Sequence, residues 1–153
     1  MGHELKVYRL KKSLYGLKQA PIAWYSRIDS YFQSHGFSKC SSEPTLYIKV
    51  NNQGKVLIVW LYVDDLIFTR NVSIELFKST MKKEFEMTDL GLMKYFLGIE
   101  VSQTDDGIFI CQTKYAKDVC TRNNPTRYIS TTQSHNIRGN LRSKIGLLKK
   151  IIK

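Results

Sequence analysis

A chain of 153 residues, 42% hydrophobic and 12% aromatic, suits one domain with its own core and is too apolar to stay disordered throughout. No apolar run reaches the ~18 residues of a membrane span, and the N-terminal MGHELKVYRLKK lacks the apolar stretch of a secretory signal. The net charge of +11 is lopsided: 16 basic residues face 13 acidic ones through Thr121, while residues 122–153 hold eight basic residues and no acid. That excess reads either as a solvated basic tail or as a polyanion contact. Lys6 stands where a myristoylation motif wants Ser or Thr. Cys40, Cys111 and Cys120 are odd in number and fit no zinc spacing, which predicts a reduced protein of cytoplasm or nucleus rather than a secreted one.

Residues 5–18 mix apolar and basic side chains and predict a strand or extended arm ending in a turn at Gly16. A helix follows over 21–35. Pro21 suits its first turn, Trp24, Ile28, Tyr31 and Phe32 recur at helical spacing, and Gly36 is a natural stop. TLYIKVNNQGKVLIVWLYV predicts two strands joined by a turn at residues 51–54. VDDL is then a second tight turn and LIFTR the returning strand. Asn71 or Ser73 can cap a helix over 72–86, whose Ile74, Phe77, Met81 and Phe85 form one apolar stripe. MTDLG predicts a loop, MKYFLGIEVSQTDDGIFICQT a hairpin turning at DDG, and KYAKDVC the start of a short helix. Beyond Cys120 the Asn, Pro, Ser and Thr clusters show no period and predict a linker. In LRSKIGLLKKIIK, Leu141, Ile145, Leu148 and Ile152 lie at helical spacing among basic residues. This is a basic amphipathic pattern suited to a membrane surface or a partner, weakened by Gly146.

The chemistry concentrates in VLIVWLYVDDLIFT. A carboxylate beside a core strand is costly unless its charge is offset. Asp64 and Asp65 together offer hard oxygen ligands at one point, as Mg²⁺ prefers, and a bound divalent ion would offset both repulsion and desolvation. The apolar strand on each side would hold them rigidly. On this pattern alone the metal site and a plain hairpin turn both stand. Asp105-Asp106, in a polar hairpin before Gly107, reads as a plain turn.

The neighbouring blocks add a resemblance. LYVDDL resembles the polymerase signature of reverse transcriptases. SLYGLKQAPIAWY, MTDLGLMKYFLGIEVSQ and QTKYAKDV resemble, in order and spacing, the palm loop and helix, the primer-grip segment and the first thumb helix of copia-type LTR retrotransposon enzymes. The resemblance implies RNA-directed DNA polymerase chemistry by two-metal nucleotidyl transfer, Mg²⁺ or Mn²⁺, an RNA/DNA template-primer and dNTPs. It makes Asp64 and Asp65 the catalytic metal ligands. It puts Tyr62 near the primer end or template, and Gly16, Lys18, Gln19 and Pro21 against nucleotide and template. Phe96, Leu97 and Gly98 would lie in the primer grip. Trp24 reads as packing. The implied fold is α+β, a partial palm over 1–120 with an antiparallel sheet and helices on one face. Residues 121–153 would be an irregular basic tail, disordered or weakly helical.

The chain also departs from the family. Ile22 replaces a common Arg and Arg70 a common Gly. An upstream block supplies the family's third metal-binding Asp, yet no Asp precedes Asp29, which falls on a helix. Resemblance also stops near Thr121, as a changed reading frame would produce. The expectation is a reverse-transcriptase fragment, inactive alone, that binds metal weakly. The alternative is a non-enzymatic nucleic-acid-binding protein using the palm surface and the basic tail.

Overall fold

A computed structural model describes residues 16–70, 74–123, 135–137 and 144–150. The capping candidates Asn71 and Ser73 lie outside these residues, as do most of the arm expected over 5–18 and most of the linker expected after Cys120.

Helix α1 spans Ala20–Ser34 with Pro21 in its first turn. Its end is a Schellman motif: Gly36 N–H donates to the Gln33 carbonyl and Phe37 N–H to the Phe32 carbonyl, with Gly36 at φ 76°. The accompanying apolar contact is Phe32 on Phe37, ring centroids 4.9 Å apart. The chain then forms β1 (Ser38–Lys39), β2 (Leu46–Val50), β3 (Val56–Tyr62) and β4 (Asp65–Arg70), each paired antiparallel to the next. The β2–β3 turn is held by the Asn51 carboxamide, which accepts from the Gln53 and Lys55 amides.

Along β3 the burial alternates, with Val59 and Leu61 inside and Val56, Ile58, Trp60 and Tyr62 exposed. Period two puts the first pair on one face, and that face meets the helices. Helix α2 (Ile74–Phe85) buries Ile74, Met81 and Phe85 and packs Phe77 against the core. These join Ile28 and Phe32 of α1 with Tyr47, Val59, Leu61, Leu66 and Phe68 of the sheet. An α+β fold with helices behind an antiparallel sheet is therefore present, as the sequence implied.

Two expectations are corrected. MTDLG is not a loop but belongs to β5 (Met87–Leu92). The apolar spacing after residue 140 does not make a helix over 144–150: this segment is strand β10 (Lys144–Lys150), an interior member of a sheet ordered β1-β2-β3-β4-β10-β5. The topology supplies the reason. Both β4 and β5 run antiparallel to β10, so they are parallel to each other, joined by α2 across a gap one strand wide. A strand in that gap satisfies backbone groups along both neighbouring edges. It also buries Gly146, Leu147 and Leu148, which a helix standing off the sheet would not. Gly146 marks a register break against β5.

The rest of the chain forms β6 (Tyr95–Phe96), β7 (Ile99–Gln103), β8 (Ile108–Cys111), helix α3 (Thr113–Asn123) and β9 (His135–Ile137). Strands β6 to β9 make a second antiparallel sheet in chain order. The hairpin expected around DDG is its β7–β8 pair. Gln103 ties the two sheets together: its side-chain amide donates to the Ile145 carbonyl and accepts from the Ile145 amide, at 2.9 and 2.7 Å.

Candidate functional site

The β3–β4 hairpin turns in two residues, Val63 and Asp64, between the paired Tyr62 and Asp65. Val63 sits at φ 53°. A β-branched residue rarely accepts that conformation, so the turn needs external support. It has two supports. From α1, Trp24 Nε1–H donates to the Val63 carbonyl at 2.7 Å. From β10, the Lys150 amide donates to the Asp64 carbonyl at 3.3 Å. The Lys150 ammonium then lies 3.8 Å from the Trp24 ring centroid, a cation–π contact that links the supports. Trp24 itself is fixed edge-on against Phe85, centroids 5.3 Å apart.

The carboxylates occupy different surroundings from one another. Asp64 belongs to the turn, whereas Asp65 begins β4 and carries a buried Oδ1 with no hydrogen-bond partner among the described residues. Burial pushes the Asp65 carboxyl above its ordinary range, the positive charge of Lys149 pulls it back, and the Asp64 charge raises it further. Lys149 lies directly across from Asp65 in the β4–β10 register. The Lys150 ammonium is lowered by burial and by Arg27, against the opposing pull of Asp64 and Glu86.

Tyr62, the residue before the turn, is half exposed and meets Phe96 edge to face at 5.4 Å. This brings β6 against the end of the carboxylate hairpin. Leu97 and Gly98 form the tight β6–β7 turn, at φ 49° and 80°. A Cβ on Gly98 would come within 3.4 Å of the Tyr115 ring, so both the backbone conformation and the space favour glycine there. Gly16, at φ 89°, precedes α1 along with the exposed Lys18 and Gln19, and Pro21 lies exposed in the first helical turn. Among the described residues, no hydrogen bond or ion pair joins Gly16, Lys18, Gln19 or Pro21 to the carboxylates. Trp24, one helical turn beyond Pro21, makes that connection.

Trp24 packs on Phe85 as its helical spacing implies, and its N–H also reaches the turn. Its place in the helix gives no signal for this, because Val63 is 39 residues away. Lys149 and Lys150, which the sequence places in a basic tail, gain their positions only through β10.

A divalent ion needs more donors than these two carboxylates. Among the described residues, no group of three His, Cys, Asp or Glu side chains gathers to hold a metal. Among the described residues of β10, Lys149 and Lys150 are the side chains beside the turn. The described residues therefore do not by themselves fit a metal ion.

Residues 1–134 match the family model described as reverse transcriptase (RNA-dependent DNA polymerase). The chain is 36% identical over 127 residues to the retrovirus-related Pol polyprotein from transposon TNT 1-94 of Nicotiana tabacum, covering 80% of this chain and 10% of that protein. It is 36% identical over 121 residues to the Pol polyprotein from transposon RE1 of Arabidopsis thaliana, covering 77% and 8%. A putative transposon Ty5-1 protein of Saccharomyces cerevisiae is 33% identical over 103 residues, covering 66% and 33%. The chain thus spans about a tenth of the length of the Pol polyproteins it matches. No solved structure matches it.

Proposed function

We infer that this chain, which belongs to the reverse transcriptase (RNA-dependent DNA polymerase) family and resembles the Pol polyproteins of copia-type retrotransposons, serves as part of a polymerase palm. Its role is to bind a template-primer duplex and to present Asp64 and Asp65 at the primer end. The observation that carries this reading is the hairpin itself: two adjacent carboxylates, Asp64 in a two-residue turn and Asp65 at the start of β4, with the turn held from α1 and β10 beside the aromatic Tyr62–Phe96 contact. In this reading Tyr62 and Phe96 face the duplex near the primer end, and the Leu97–Gly98 turn lies along its backbone. Gly16, Lys18, Gln19 and Pro21 face template and incoming dNTP. The exposed lysines and the basic C-terminal residues attract phosphate without reading sequence.

Family chemistry calls for divalent ions, Mg²⁺ or Mn²⁺, in a two-metal transfer. Since two carboxylates beside lysines do not fit such an ion, the 153 residues by themselves are proposed to bind duplex without extending it. What the described residues supply is orientation: Trp24 and Lys150 hold the turn, and Tyr62 bridges it to β6.

The test is fluorescence anisotropy of a labelled RNA–DNA primer-template with the purified chain, followed by primer extension with Mg²⁺ or Mn²⁺. Binding should weaken steadily as salt rises, and Tyr62→Ala should cost about tenfold in affinity, the loss of one base-stacking contact. Absence of salt-dependent binding would sink the reading. Extension that Asp64→Asn abolishes would overturn the inactivity of the isolated chain.

A further inference from the structure

Strand β10 has a consequence for the carboxylate turn. It fills the gap between β4 and β5, and its register sets Lys149 opposite Asp65 on one side and Thr88 on the other. Directly paired residues of antiparallel strands project from the same face, so Lys149 and Asp65 share a face and Asp65 shares it with Tyr62. The register is locked. Leu148 is fully buried in the core between the helices and the sheet, and a slip by one residue would turn it outward. The Lys150 amide holds the Asp64 carbonyl, and its ammonium is seated on Trp24. Among the described residues, the buried Oδ1 of Asp65 has no hydrogen-bond donor. The segment that supplies β10, residues 122–153, contains no acid at all, so at whatever register it entered the gap it would bring no carboxylate to the turn.

We propose that Lys149 is the resident counter-cation of the Asp64–Asp65 turn. Strand β10 sets a lysine directly across from Asp65 in the register, on the same face, so that this chain holds its carboxylates charge-compensated and binds Mg²⁺ or Mn²⁺ more weakly than the two carboxylates alone would. The inference rests on the reading of the turn as a carboxylate site, and its test does not depend on polymerisation or on duplex binding.

The test is Mn²⁺ titration of the full 153-residue chain, read by electron paramagnetic resonance of the free ion. Lys149→Met keeps the length and the strand while removing the charge, and should bind Mn²⁺ about tenfold more tightly than the unaltered chain, the effect of removing one nearby unit charge. Lys149→Asp places a third carboxylate in register opposite Asp65 and should bind more tightly still. Adding Asp65→Asn should abolish either gain. The proposal is overturned if Lys149→Met, with an unchanged circular dichroism spectrum, binds no more tightly than the unaltered chain, or if its gain survives Asp65→Asn. Lys149→Gln, equally neutral and polar, serves in the same way should the Met or Asp variant misfold. Tight Mn²⁺ binding by the unaltered chain overturns the counter-cation role and leaves the palm reading in place. Failure to bind duplex overturns the palm reading and leaves the Mn²⁺ comparison to decide the role of Lys149.

Discussion

Single atoms decide how the carboxylate turn is held. Trp24 offers one N–H to one carbonyl, that of Val63, at a position whose backbone conformation a valine disfavours. Trp24→Phe keeps an aromatic ring against Phe85 and loses only that bond. We expect a loss of about 1 kcal/mol in urea unfolding, and Trp24→Phe as stable as the unaltered chain would remove the hydrogen bond from the account. A second cluster lies on the other end of α1. Asp29 accepts from the Tyr47 hydroxyl at 2.6 Å and from Gln33 at 2.8 Å, and pairs with Lys39 at 3.0 Å. Burial raises its carboxyl, but those bonds and the Lys39 charge outweigh it and leave the group below its ordinary value. A lowered carboxyl stabilises the fold above the unfolded value, about 3.9, and that stability is lost as pH falls through the lowered folded value. Asp29→Asn should therefore melt a few degrees below the unaltered chain at pH 7, and the gap should shrink as pH falls below the unfolded value and through the lowered folded value. A gap that persists in acid would show that the charge is not the source.

At the scale of elements, the helices and hairpins follow from period and turn chemistry. Ile28 and Phe32 on α1, and Met81 and Phe85 on α2, are buried as their spacing implies. The Asn51 and Gly36 turns work by the side chain and the backbone freedom that mark them in the sequence. Strand β10 is different, because its local pattern points to a helix. Leu148 separates the two readings. In a solvated tail, Leu148→Ala would be close to neutral. As a fully buried core residue it should cost about 2–5 kcal/mol, measured by denaturant unfolding. Lys78 belongs to the same scale: it is buried within α2, pairs with Asp89 of β5 at 2.9 Å, and has a second, exposed partner in Glu75 at 3.2 Å. Asp89→Ala leaves that buried ammonium to Glu75 alone and should destabilise by about 3 kcal/mol, more than Glu75→Ala.

For the molecule as a whole, the sheet is continuous only because β10 stands between β4 and β5. Deleting residues 144–153 would open an edge on each, and open edges pair with other chains. The deletion should self-associate, visible by light scattering after gel filtration, and a monomer of unchanged stability would contradict the interior place of β10. How far the sequence reached follows from the range of the forces involved. The helices, the hairpin that carries Asp64 and Asp65, the glycine turns and the membership of the reverse transcriptase family were all legible in the sequence itself. Each depends on residues a few positions apart, or on motifs of fixed order. The hydrogen bond from Trp24 to Val63, the place of β10 and the juxtaposition of Lys149 with Asp65 were not legible. They join residues 39 and more positions apart. Leu147 and Leu148 are buried on opposite faces of β10, so its middle lacks the alternation that marks a strand, and only the gap left by the β4–α2–β5 crossover makes a strand the better state for it.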